Sequence, residues 1–194
     1  MILKNMVTSI EKTSDYLTTD ELRKIGRYYH KEGNYTLSLL IDFGFRTLLR
    51  YSDLERIRWV DILNKDELLL NEKKTNKRRK IALGVVLRGI ISNYYELYGK
   101  PELNDRVFRY TLRHTNRLLQ IGAASVGIRK KNVSTHSLRK SGARFIWELH
   151  NKSDESLIKL SMVLNHSSTT ITRRYLGITK EEIADIYEGF EFNL

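Results

Sequence analysis

The chain has 194 residues, 41% of them apolar, and Lys and Arg outnumber Asp and Glu 34 to 23, a formal net charge of +11. That length suits one domain, or one with a small appendage, and the apolar share is enough for a core. The basic surplus marks a partner that is a polyanion, nucleic acid first and an acidic membrane surface second, while the lack of cysteine excludes disulfides and thiolate metal sites. The first ten residues, MILKNMVTSI, lack the apolar core of a signal peptide, and no run approaches a membrane span. A soluble, intracellular protein with no membrane contact is expected.

Residues 1–15 carry no clear pattern and read as an arm or linker. Thr18 and Glu21 then form a capping box ahead of Leu22, Ile25 and Tyr29 at helical spacing. Gly33 and Asn34 mark a turn into a second helix, with Leu37, Leu40 and Ile41 as its buried stripe. In FRTLLRYSDLERIRWVDI, Phe45 to Ile62, Ser52 and Glu55 form another capping box, so Arg50 is predicted on the loop just ahead of a helix. Leu54, Ile57 and Trp59 point inward. An Arg beside the free N–H groups of a helix start attracts phosphate. The plainer alternative is a surface Arg paired with Asp53 or Glu55, and Arg46, Arg56 and Arg58 compete for the same role. Spacing does not choose among them.

The period changes in DELLLNEKKTNKRRKIALG, where Leu68 to Leu70 and Ile81 to Leu83 flank a polar middle, which predicts a β-hairpin. Its tip is basic, with Lys73, Lys74, Lys77, Arg78, Arg79 and Lys80 among eight consecutive residues. A charge run is usually a solvated face; a basic hairpin tip can also enter a groove and carry one Lys, Lys74 by preference, to a leaving oxygen. Neighbouring cations would have to lower its pKa for that. Gly84 to Tyr98 reads as a helix with Val85, Ile90, Ile91 and Leu97 apolar, stopped by Gly99 and Pro101. Tyr94, Tyr95 and Tyr98 are read as core and not as base-stacking residues. Thr111 to Val126 is a further helix, with Leu112, Leu118, Leu119 and Ile121 on one side and Arg113, His114 and Arg117 open to a polyanion.

Two stretches carry the chemistry. In THSLRKSGARF, Thr135 to Phe145, His136 and Arg139 are three apart and point the same way at the start of a helix whose apolar positions are Leu138, Gly142, Phe145, Ile146 and Leu149. In LNHSSTTITRRY, Leu164 to Tyr175, a His and a Tyr are separated by a Ser/Thr-rich turn. A helix carrying Leu157, Ile158, Leu160 and Val163 precedes it and breaks at Asn165-His166. Arg presents a fork of donors to a phosphate, His moves a proton at neutral pH, and a Tyr hydroxyl becomes a nucleophile when cations stabilise its anion. Thr179 and Glu182 cap a last helix, Glu181 to Phe190, striped by Ile183, Ile186, Tyr187 and Phe190, which docks at home or on a neighbouring copy. The whole predicts a mainly helical chain with a small β-hairpin, an α+β fold.

These residues together resemble the catalytic domain of the tyrosine recombinases, the phage integrase class. HSLR, His136 to Arg139, is similar to the family's H-x-x-R box, and LNHSSTTITRRY to its nucleophile segment, with the same spacing from His166 to Tyr175. LRYSDLERIRWVDI is similar to the box around the first catalytic Arg, a register that selects Arg50 over Arg46. EKKT is similar to the hairpin lysine segment and points to Lys74, and YLTTDEL resembles the entry into the domain. The resemblance covers Tyr16 to the C-terminus, residues 16–194. Asn165 stands where Gly is common and Lys140 where His is frequent, with only local effects expected. Only about fifteen residues occupy the place of the family's separate N-terminal core-binding domain. That domain is expected to be absent, as in short one-domain members such as fimbrial-switch recombinases, unless the chain is a piece of a longer protein.

The resemblance implies a site-specific recombinase acting on double-stranded DNA without cofactor, metal or ATP, in integration, excision or inversion. Arg50 and Arg139 would grip the scissile phosphate, His136 would assist by proton movement, Lys74 would protonate the departing 5′ oxygen, His166 would order the phosphate contacts, and Tyr175 would attack to give a 3′-phosphotyrosyl link. Lys73, Lys77, Arg78, Arg79, Lys80, Arg113 and Arg117 are the expected DNA contacts. Assembly on DNA as a tetramer, with residues 181–190 exchanged between copies, and work at the nucleoid of a prokaryotic cytoplasm are also implied. The alternatives are a type IB topoisomerase-like relaxing enzyme and a catalytically silent DNA-binding regulator of the same fold.

Overall fold

Thr18 accepts from the Glu21 amide while the Glu21 carboxylate takes the Thr18 amide, so the predicted capping box opens α1 (Thr19–Lys31). The computed structural model describes residues 13–178. Gly33, at φ 69°, and Asn34, which caps through the Leu37 amide, turn the chain into α2 (Tyr35–Thr47). Helix α2 is buried along most of its length and packs against α1 and, further on, against α7. Two single-turn helices follow, α3 (Tyr51–Leu54) and α4 (Trp59–Ile62), and then a two-stranded antiparallel sheet, β1 (Glu67–Asn71) with β2 (Arg78–Ala82), in the register Glu67 opposite Ala82 to Asn71 opposite Arg78. The chain continues through α5 (Val85–Leu97), α6 (Leu112–Ser125), α7 (Thr135–Leu149), α8 (Asp154–Leu164) and α9 (Thr169–Leu176). Mainly helical with one small sheet, the fold has the predicted class.

Two apolar clusters hold it together. The larger gathers α1 to α6, with Trp59, Phe43, Phe108 and the leucines of α2 at its centre. Tyr94 is buried against Ser38, and Tyr95 and Tyr98 meet the Trp59 ring edge-on, so these tyrosines are core. The smaller joins Leu48 at the end of α2 to Ala143 and Trp147 of α7, Leu157, Leu160 and Leu164 of α8, and Leu176 of α9. It packs α9 against α7 and α8, where Arg144 Nη1 also donates to the Leu176 carbonyl.

Four predicted stripes only partly coincide with the buried faces. Val85 of α5 is exposed and the buried residues are Leu87, Ile91 and Tyr94. Leu112 and Ile121 of α6 are exposed, because the contact runs through Thr115, Leu119, Gly122 and Ala123, where the bare Gly122 backbone admits the Tyr29 ring. Leu149, Phe145, Ile158 and Val163 also reach solvent, while Ala143, Trp147, Leu157 and Leu160 face inward. In α6 and α7 the buried faces run through residues small enough for close helix approach, which hydropathy alone undervalues. The predicted helix Glu181 to Phe190 with its Thr179 cap lies outside the described residues, as does most of the arm. Among the described residues no helix is long and apolar enough to cross a membrane.

Candidate active site

Leu48 ends α2 in the left-handed region, φ 54°, and turns the chain so that the extended Arg50 becomes the N-cap of α3. The expected Ser52–Glu55 capping box does not form. Burial of Tyr51, Asp53 and Leu54 accompanies a turn that starts two residues earlier, and Glu55 pairs with Lys73 at 3.3 Å. Arg50 donates from Nη1 to Glu72 Oε2 at 3.1 Å and from Nη2 to the Leu164 carbonyl at 3.4 Å. Its competitors are engaged elsewhere. Arg46 pairs with Asp42, Arg56 donates to the Asn71 carbonyl and Arg58 to that of Asn104.

Ser134 caps α7 and sets His136 and Arg139 on its first turns. Arg139 is only 3% exposed, and its Nη2 donates to the Leu164 carbonyl at 2.8 Å. Its Nη1 is buried with no protein partner. Burial, and then Arg50 and Arg79, bring the guanidinium down to about 10, so it stays charged at neutral pH. His136 sits at the surface, and its pKa is lowered by the protein around it and by the charges of Arg139, Arg50 and Lys74, which keeps a neutral imidazole available.

Helix α8 stops at Asn165, which takes the left-handed conformation at φ 57°, the geometry that glycine or Asn tolerates best. His166 follows, its backbone N–H on the Ser161 carbonyl and its Nδ1 3.0 Å from Thr172 Oγ1. Ser168 then caps α9, a helix where the sequence pattern predicts only a turn. This helix carries Tyr175 back against the His166 ring, edge to face at 5.3 Å between centroids. Burial, with Arg139 and Arg50 adding to it, lowers His166 to about 4. Burial pushes the Tyr175 phenol up to about 12, against the pull of Arg139 and Arg50. The Tyr175 hydroxyl is buried beside the Arg139 guanidinium, which helps to draw its pKa down, yet the two do not make a well-formed hydrogen bond. Two guanidiniums, one with a free buried donor, and a sequestered phenol thus face one space, an arrangement complementary to an anion.

With that geometry in place, the chain matches the phage integrase family over residues 15–182. It belongs to that family. The chain is 29% identical to a probable integrase/recombinase, YoeC of Bacillus subtilis, over 178 residues, 88% of this chain and 93% of that one. It is 27% identical over 184 residues to the tyrosine recombinase XerC of Caldanaerobacter subterraneus subsp. tengcongensis, but spans only 49% of it. Among solved structures, the XerA recombinase shares the fold with a TM-score of 0.68 at 18% identity, covering 100% of this chain and 68% of that one. The catalytic core of lambda integrase does so at 0.60 and 21%, covering 79% and 92%.

In this member of the phage integrase family the cations expected on DNA divide into three groups. Lys77, Arg78, Arg113 and Arg117 are exposed, as is Lys74, the expected proton donor. Lys73 pairs with Glu55 and Lys80 with Glu67 at the surface. Arg79 departs from the expectation. Its side chain turns inward, donating to Glu72 Oε1 at 3.0 Å and to the Thr47 carbonyl at 3.1 Å, because the buried Glu72 carboxylate requires cationic partners. Glu72 itself was not legible as a site residue. Within the EKKT motif it looks like one more charge at a basic tip, yet it is 2% exposed. The one signal was its place as the lone acid beside that run. Asn165 also does more than local work, since its Nδ2 donates to Glu72 and its Oδ1 accepts from Lys77.

Proposed function

We propose that the chain is a site-specific DNA recombinase that breaks and rejoins duplex DNA through a covalent link to Tyr175, and that the six predicted catalytic residues carry the reaction. Arg50 and Arg139 hold the non-bridging oxygens of the scissile phosphate and stabilise the charge of the pentavalent transition state. Tyr175 Oη bonds to phosphorus as the bond to the 5′ oxygen breaks. The phenolic proton passes to His136, held neutral by its neighbours, and Lys74 on the hairpin turn protonates the 5′ oxygen. His166, neutral and anchored by Thr172, orders the phosphate contacts and backs the tyrosine ring. The 3′-phosphotyrosyl link conserves the bond energy, so a 5′ hydroxyl from another duplex reverses the step without ATP. The observation that carries this function is the buried Arg139 guanidinium, its Nη1 without a well-formed hydrogen bond to the protein, set beside the buried Tyr175 hydroxyl.

Strand exchange needs several such sites, and we infer assembly on DNA as a tetramer with residues 181–190 passed to a neighbour, at work on the nucleoid in the cytoplasm. Ile158, Met162 and Val163 of α8 and Leu149 of α7 are exposed apolar residues suited to receive such a helix. A solved relative in fold is a lambda integrase tetramer on a Holliday junction. The test of the chemistry is a nicked duplex taken from the junction of the element that carries this gene. A detergent-resistant protein–DNA band lost in Tyr175→Phe and in Arg139→Ala supports the proposal; no band on a duplex that binds overturns it.

A further inference from the structure

Glu72 directly follows β1 at the base of the hairpin turn and is one of two acids, with Asp53, buried among the described residues. Its Oε2 accepts from Thr75 Oγ1 at 2.9 Å, Arg50 Nη1 at 3.1 Å and Asn165 Nδ2 at 3.3 Å, and its Oε1 from Arg79 Nη1 at 3.0 Å. Burial opposes its charge, but Thr75, Arg79, Arg50 and Asn165 together hold its pKa below the ordinary carboxylate value. Bracing the hairpin alone would need only Thr75 and Arg79, which belong to the hairpin itself. The contacts to Arg50 and Asn165 leave it. One reaches the N-cap of α3 and the other the residue before His166.

We propose, on the functional reading above, that Glu72 is a positioning residue for the cleavage chemistry. It holds Arg50 and the turn bearing Lys74 in fixed relation to the segment that runs from Asn165 to Tyr175. Arginine has five N–H donors, of which Glu72 and the Leu164 carbonyl take two, leaving the others for phosphate. Without the carboxylate, Arg50 keeps only the 3.4 Å bond to Leu164 and its fork is free to swing. A misplaced group of this kind slows a reaction on the order of 10²-fold.

Single-turnover cleavage of the nicked duplex by wild type, Glu72→Gln and Glu72→Asp tests this. The expected rate constant for covalent-complex formation falls roughly 10²-fold in Glu72→Gln and by less in Glu72→Asp, which keeps the charge one methylene short. Non-covalent DNA affinity is unchanged in Glu72→Asp and unchanged or tighter in Glu72→Gln, where a negative charge has been removed. A merely structural role would lower the amplitude or the melting temperature and leave the rate constant of the folded fraction alone, which overturns the proposal. If Glu72→Gln does not fold, a wild-type rate constant in Glu72→Asp overturns it equally. Failure of the recombinase function shows separately, as no Tyr175-dependent complex in wild type. The labelling of Arg50 by phenylglyoxal, mapped by peptide mass spectrometry, then decides: faster labelling in Glu72→Gln or Glu72→Asp supports the contact, and unchanged labelling overturns it.

Discussion

Arg50 and Arg139 donate to the same oxygen, the carbonyl of Leu164, at 3.4 and 2.8 Å. Leu164 is the last residue of α8, where carbonyls lack helical partners and carry the negative end of the helix dipole. The end of one helix therefore draws two distant guanidiniums together, and the same helix end leads directly into His166 and α9. The two arginines proposed to grip the phosphate and the segment that leads to Tyr175 share one anchor.

Arg139 buries a donor without a partner, an arrangement that favours an incoming anion over the stability of the free fold. Arg139→Met is expected to lower the cleavage rate by about 10²–10³-fold, while its melting temperature stays level or rises. Paired single-turnover and thermal-unfolding measurements check this; a large loss of stability with cleavage retained would contradict it.

The lowered pKa of His166 has a definite sign. Its folded value, about 4, lies below the unfolded value of 6.5, so the unfolded chain binds more protons between them. The stability this neutral His contributes is present above pH 6.5 and is lost as pH falls through that window toward 4. Replacing it by Gln should flatten the acid limb of a melting-temperature profile there. Glu72, held below its ordinary 4.5, acts only at lower pH, so the two effects separate.

Lys74 is assigned to the leaving 5′ oxygen, and that role is separable from DNA binding. A thiolate leaves without needing a proton. Lys74→Ala should cleave an ordinary duplex slowly, on the order of 10²-fold below wild type, and recover on a duplex with sulfur at the bridging 5′ position. Equal defects on both substrates would point to another acid.

Gly142 lets α7 lie directly on α2. A Cβ there would run into the Phe45 carbonyl oxygen and Leu48. Leu48 is the αL cap two residues before Arg50, so the same contact sets the two arginines relative to each other. Gly142→Ala is expected to cost about 3 kcal/mol in chemical denaturation, with cleavage impaired in whatever remains folded.

Much of this was legible in the residues. Capping boxes and turn signals located α1 and α2, the change to period two located the hairpin, and the family register singled out Arg50 before its contacts were visible. The rest depended on three-dimensional matching. The buried faces of α6 and α7 run through Gly122, Ala123 and Ala143, small residues that a hydropathy pattern undervalues. Helix α9 was hidden because TTIT is rich in β-branched residues of weak helix propensity, though Ser168 as a cap was there to be noticed. Glu72 and the inward turn of Arg79 could not be read from a basic run, since burial at the hairpin base arises only when the Arg50 loop and the Asn165 cap close over it.

The central claim is that Tyr175 is the atom donor to DNA, and the most direct test identifies the linked residue. The covalent complex on the nicked duplex would be trimmed with nuclease, digested with trypsin and sequenced by mass spectrometry. The prediction is a nucleotide attached through its 3′ phosphate to the peptide YLGITK that begins at Tyr175. Attachment to another residue, or a DNA break with no linked peptide, would contradict it.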